Sequence, residues 1–184
     1  VTKKLDMAEH RAKLLLQVAA VGEPPEKGAH LYFARVGAIV KRALSSQACT
    51  MYLVNHDQSE LCRMRRVGDG SDFAAITFLR QGRDEGVGGH VVSRGEVLRV
   101  DDAWKHPRAS GLMRTEGQEE VMLVKNLLCV PIWDSDHDDQ PIVIGALEVA
   151  NKDTVFTDTD QTMLAEFALL ISAATGRLRL QHRL

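Results

Sequence analysis

The residues able to do chemistry are few and scattered. Cys49, Cys62 and Cys129 are the only cysteines, far apart, with no CxxC pair and no cysteine–histidine cluster. All three fall inside candidate strands, where a thiol packs as a small hydrophobe and stays protonated and unreactive. Their odd number, without a disulfide framework, points to a reducing compartment and hence the cytoplasm. His90 and His106 lack a carboxylate or second ligand at a recognised spacing, so they read as structural histidines and no metal site is expected. The run "DSDHDD" at 134–139 lacks the glycine and distal glutamate of a calcium loop and reads as a solvated acidic hairpin turn. No catalytic constellation emerges.

Two other groups carry more information. Gly86, Gly88 and Gly89 in "EGVGGH" permit a tight turn or the close approach of a ligand. Asn151 and Lys152 end an apolar run, and Phe156 and Asp160 follow them. Thr157 suits the start of a helix, and Asp160, three residues on, supplies the acidic half of a capping box.

These residues need a scaffold, and the periodicity supplies one. Leu5, Ala8, Ala12, Leu15, Leu16 and Ala19 recur at helical steps over 4–20. "GEPPEKG" at 22–28 breaks that helix. Tyr32, Val36, Ile39, Val40 and Ala43 form a second stripe. Strands are expected at 48–54, 61–67 and 74–79, the first two joined by a hairpin-length link. After the glycines a short helix is expected near His90 to Ser93, then a strand at "VLRV". The long connection 101–125 is either functional or holds short structure of its own. Apolar strands at about 127–133 and 142–150 read as central, and Met163, Leu164, Phe167, Leu170, Ile171, Ala174 and Leu178 mark the final helix. Hairpin-length links favour an antiparallel sheet with helices packed on it, an α+β domain.

Composition bounds the function. The chain has 184 residues, 45% of them hydrophobic, enough for one core. A formal charge of −2 gives no electrostatic case for nucleic acid. No apolar run reaches the roughly 18 residues of a membrane helix, and no secretory leader is visible. Beginning at Val1, the sequence reads as a piece of a longer protein.

Three stretches, "EGVGGHVVSRGEVLRVDDAWKHPR", "KNLLCVPI" and "IGALEVANK…FTDTD", occur in the order and near the spacing of the GAF domain family. From about Leu31 to Leu178 the chain resembles that family, most of all the GAF domains of cyclic-nucleotide phosphodiesterases and related adenylyl cyclases. Asn151, Lys152, Phe156 and Asp160 match their signature, and Gln161 stands where they carry glutamate. The resemblance implies a GAF-like central antiparallel sheet of about six strands, with helices on one face. On the other face it implies a ligand pocket covered by loops and short helices. It divides the chain into a leading helix and linker over 1–27 and the domain over 28–180.

The resemblance further implies a non-enzymatic sensor of a small molecule, with cAMP or cGMP as the ligand and no bound cofactor. Thr50, Val87, Gly88, Val124 and Glu148 match ligand-contacting positions, and Asn151, Lys152, Phe156 and Asp160 would latch the last strand to the last helix. Taken alone, Glu148 reads rather as a solvent-facing strand residue and the glycines as a plain turn, with phosphate contact an addition to it. Val124 departs from the small polar residue of the nucleotide binders. Glu116, Glu119 and Glu120 would repel a phosphate unless Arg114 or Lys125 offset them. A dimerising domain with no nucleotide is therefore the alternative, and a free methionine sulfoxide reductase a more distant one. Apolar stripes on the first and last helices suggest a homodimer through them and an attached output domain.

Overall fold

The computed structural model describes residues 2–22, 29–55, 59–67, 76–109, 112–114, 121–134 and 140–181. Helix α1 spans Thr2–Ala20 and α2 spans Ala29–Ala43. Strands β1 (Ser46–Val54), β2 (Glu60–Val67) and β3 (Ile76–Gly82) follow, then α3 (Gly86–Arg94) and β4 (Leu98–Val100). Two short strands, β5 (Leu112–Arg114) and β6 (Val121–Leu123), precede β7 (Leu127–Trp133), β8 (Val143–Lys152) and α4 (Asp158–Gln181).

The main sheet has the order β3-β2-β1-β8-β7-β4, antiparallel throughout, while β5 and β6 pair only with each other. The expected α+β class and six-stranded sheet are what the chain adopts. β1 and β8 are the central pair, which explains their near-continuous apolar sequences: each is covered on both faces.

Alternation along the strands sorts side chains into two cores. Cys49, Met51, Leu128, Val130, Leu147 and Val149 face α1, α2 and α4 and join Leu14, Val18, Val36, Val40, Leu164, Phe167 and Ile171. Ala48, Tyr52, Cys129, Ala146 and Ala150 point the other way, against Val87, Val91 and Val92 of α3. The three-helix side is the larger core and carries most of the stability. Truncating fully buried Phe167 to alanine there would cost about 3–5 kcal/mol.

Two sequence expectations need correction. α3 begins at Gly86 and not near His90, so Gly88 and Gly89 are helical residues. Gly86 itself has φ +64°, and the helix closes on Gly95, φ +66°, whose N–H bonds Val91 O. The ring of Trp133 lies over Gly95, where an added Cβ would meet Cη2 at 2.7 Å. The third strand runs on beyond the expected 79, over Ile76–Gly82, and positions 74 and 75 lie outside the described residues. The long connection does contain structure of its own, the β5–β6 hairpin. Glu116, Glu119, Glu120 and positions 135–139 of the acidic turn lie outside the described residues.

Candidate functional site

Among the described residues, the buried layer on the α3 face of the sheet is apolar except where β1 and β8 meet. Thr50 and Glu148 are ladder partners there, and Cys129 of β7 is the partner of Glu148 on its other side. Two residues along β1, on the same face, Tyr52 donates its hydroxyl to Glu148 Oε2 at 3.0 Å. Glu148 is only 2% exposed, which corrects its reading as a solvent-facing residue. Thr50 and Tyr52 are equally enclosed. A buried carboxylate is costly without partners, so this cluster is a distinct polar feature within an apolar layer.

α3 closes over the cluster through its glycine side. A Cβ on Gly88 would lie 2.6 Å from Cγ, Cδ1 and Cε1 of Tyr52, so the tyrosine ring packs flat against the helix backbone. A Cβ on Gly89 would meet the Asp84 carbonyl carbon at 2.5 Å. These glycines are there for close approach between elements. Val87 is buried at the same layer. Val124, 1% exposed, reaches it from the β6–β7 linker. Thr50, Val87, Gly88, Val124 and Glu148 are thus assembled on one side of the sheet. Tyr52 was missed by the sequence reading because "ACTMYLV" looks like a plain apolar strand. Its two-residue offset from Thr50 is the signal that would have found it.

The linker carrying Val124 is fastened by two asparagines. Asn151, at φ +59°, accepts from Lys125 N–H at 2.8 Å and donates to Leu123 O at 2.6 Å and to Gln47 Oε1 at 3.2 Å. Asn126 reciprocates: it accepts from Lys152 N–H at 3.0 Å and donates to the carbonyls of Lys152 and Thr154 at 3.0 and 3.1 Å. The Ala103 N–H also bonds Lys125 O at 2.8 Å, so the 101–109 segment is tied to the same linker. Asn126 was not singled out from sequence, where it reads only as the residue opening an apolar strand.

One residue further, Lys152 Nζ donates to both oxygens of Asp160, at 2.8 and 2.7 Å. Asp160 Oδ2 also accepts from Thr157 N–H at 2.8 Å, while Thr157 Oγ1 accepts from Asp160 N–H at 3.2 Å. This is a capping box with a lysine added. Burial pushes the Asp160 carboxyl up, but the bonds from Lys152 and Thr157 outweigh it and hold the group below its ordinary value. Phe156 is buried in the three-helix core, its ring centre 6.0 Å from Lys152 Nζ.

The three cysteines are enclosed to different degrees. Cys49 faces the helices and is buried, and Cys62 is half-buried. Burial, then the charge of Glu148, then Cys49 push the Cys129 thiol well above its ordinary range, the reverse of what a nucleophile needs. Among the described residues, no three histidine, cysteine or acidic side chains are placed to hold a metal ion. His106 Nδ1 accepts from Arg108 N–H at 3.2 Å. No helix of the described residues is long and apolar enough to cross a membrane.

Comparison with known proteins agrees with this fold. The chain is 24% identical over 159 residues to a probable 3',5'-cyclic phosphodiesterase, pde-5, of Caenorhabditis elegans. That match covers 82% of the chain but spans only 21% of the phosphodiesterase. Among solved structures it is similar to the GAF domain of a phosphoenolpyruvate-protein phosphotransferase (ptsP) from Coxiella burnetii, with TM-score 0.73 and 22% identity over 96% of this chain and 99% of that one. A free methionine-R-sulfoxide reductase from Neisseria meningitidis, in complex with its substrate, superposes with TM-score 0.63 and 20% identity over 94% and 90% of the two chains. The model of the GAF domain matches residues 30–175, from the start of α2 to near the end of α4, and the chain belongs to the GAF domain family.

Proposed function

We propose that this domain is a non-catalytic regulatory module that senses a small molecule on the α3 side of its sheet, with cAMP or cGMP as the candidate ligand. The observation that carries this reading is the burial of Thr50, Tyr52 and Glu148 together in an otherwise apolar layer. A layer that only had to pack would be cheaper with aliphatic residues. A carboxylate at that place can accept from the N–H groups of a purine. The likeness to a probable cyclic-nucleotide phosphodiesterase supports the same chemistry. Occupancy would act through differential affinity for two arrangements of the segment over the site, passed on to the terminal helices and an attached output domain.

Calorimetric titration with cAMP and cGMP tests it, beside thermal unfolding. A ligand at a hundred times its Kd stabilises by about 2.7 kcal/mol through mass action and raises Tm accordingly. Absence of heat and of any Tm change with both nucleotides overturns the nucleotide assignment.

A second reading is a structural, dimerising GAF domain with no nucleotide. The Tyr52 ring pressed on Gly88 and the buried Val124 favour it, because the chain's own side chains then fill the layer. In that reading the exposed Leu5 and Leu16 of α1 and Leu169 of α4 meet a second copy. A thiol-based reductase has no comparable support: the raised Cys129 thiol and the enclosure of Cys49 speak against it.

A further inference from the structure

Helix α1 carries two apolar stripes, and the domain uses only one of them. Leu14 and Val18 join the three-helix core, Arg11 donates to Glu166 of α4, and Gln17 accepts from Arg42 of α2 at 3.1 Å. Leu5, Ala8, Ala12, Leu16 and Ala19 lie on the other side of the helix and are exposed, Leu5 by 57% and Leu16 by 68%. This outward stripe is the one that marks the helix in the sequence. Every residue from Lys3 to His10 is exposed, so the domain encloses no part of the first two turns. Two unsupported turns of helix are marginal in water, and an apolar face on them calls for a partner helix.

The spacing of that face fits a second copy of the same helix. Leu5, Ala12 and Ala19 recur at heptad steps, with Ala8 and the half-buried Leu15 between them, the a and d positions of a coiled-coil seam. Beside the seam stand Lys4 at a g position and Glu9 at an e position, both exposed. In a parallel, in-register pair, g meets the e position of the following heptad, so Lys4 of each copy faces Glu9 of the partner subunit. An antiparallel pair matches g with g and e with e, and loses both contacts. Alanine at Ala8, Ala12 and Ala19 buries little area, which keeps the pairing modest in strength.

We propose that two copies of this chain pair their α1 helices parallel and in register along Leu5, Ala8, Ala12, Leu15 and Ala19, with Lys4 and Glu9 fixing the orientation. The proposal rests on the dimer of the second reading above and holds with or without a ligand on the α3 side. The charges choose between orientations that the apolar seam alone leaves equal. Arg11 lies beside the seam and ties α1 to α4 through Glu166, so a displacement of α4 reaches the pairing directly. Association and the position of α4 are thereby linked.

The test is cysteine cross-linking under mild oxidation, with wild type as the control for the native cysteines. Leu5 and Ala19 are exposed, so Leu5→Cys and Ala19→Cys leave the core untouched. In a parallel pair each position meets its own copy, and each variant by itself should give a disulfide-linked dimer. Cross-linking that appears only when the two variants are mixed marks an antiparallel pair and overturns the inference. A dimer by light scattering that cross-links in neither way places the contact elsewhere, which sinks the α1 seam and leaves the dimer standing. A monomer at high concentration removes both. Sedimentation at low salt adds the charge test. Lys4→Glu or Glu9→Lys alone should weaken the dimer on the order of tenfold, since each sets like charges together at two symmetric places, and the double exchange should restore it. A double exchange as weak as either single change overturns the parallel register.

Discussion

Asp160 serves three partners at once: the Lys152 ammonium, the Thr157 amide and the Thr157 hydroxyl, which donates to Oδ2 at 3.0 Å. The lysine and aspartate side chains are only 19% and 13% exposed, so removing the carboxylate leaves a largely enclosed ammonium. Asp160→Asn should cost about 2–3 kcal/mol in urea denaturation, somewhat below a fully buried pair because Lys152 keeps a little contact with water. Asp160→Ala should cost about 1 kcal/mol more through the lost cap. The pH dependence has a definite sign. The folded-state carboxyl lies below its ordinary value near 4, so its contribution is complete above that value and disappears as acid protonates it. The gap between wild type and Asp160→Asn should be flat from pH 6 to 8 and close below about pH 4. Gly88 makes the other residue-scale case. Gly88→Ala drives a methyl into the side of an enclosed ring, costs about 1–3 kcal/mol and pulls the Tyr52 hydroxyl away from Glu148. A folded, fully stable Gly88→Ala protein would show that Tyr52 has room to move.

At the scale of elements, the Asn126–Asn151 exchange joins the β6–β7 linker to the end of β8. Asn151 sits in the left-handed region, where alanine adds roughly 1–2 kcal/mol of strain and glycine adds none. Asn151→Gly and Asn151→Ala both lose the side-chain bonds, so the difference between their urea midpoints isolates the backbone part. Asn126→Ala should cost about 2–3 kcal/mol and speed amide exchange at Lys152, whose N–H bonds Asn126 Oδ1. Helical stripes and apolar strands were legible because burial on a sheet imposes simple periods: Val36, Val40, Phe167 and Ile171 announce their elements. The start of α3 was not legible, because Gly88 and Gly89 read locally as helix breakers. Gly88 is explained by Tyr52, which is distant in sequence, and Gly89 by the folding back of the Asp84 backbone just ahead of the helix, which propensity alone does not announce. β5 and β6, three residues each, are too short to show a period. Glu148 was ambiguous for a related reason: a lone carboxylate in an apolar strand says nothing of which face it occupies until the register is known.

At the scale of the whole molecule, α1 and α4 pack together. Leu14, Val18, Leu164 and Phe167 share one core, and Arg11 forms a two-pronged ion pair with Glu166. Leu5, Leu16 and Leu169 remain exposed on these helices. In the proposed dimer they form the contact, so light scattering should show twice the chain mass, and Leu16→Glu or Leu169→Glu should halve it while the chain stays folded, with Tm falling only by what the partner contributed through mass action. A monomer at high concentration removes that interface.

The bond from Ala103 to Lys125 has a practical corollary. It positions Trp104, whose indole is open to water, directly beside the chain that bears Val124, while the second tryptophan, Trp133, is stacked over the end of α3. The protein has no others. Its native ultraviolet emission therefore monitors the linker and one end of the helix that roofs the polar cluster. With each indole silenced in turn by phenylalanine, events at the linker and at the helix terminus can be timed separately, without attaching any dye.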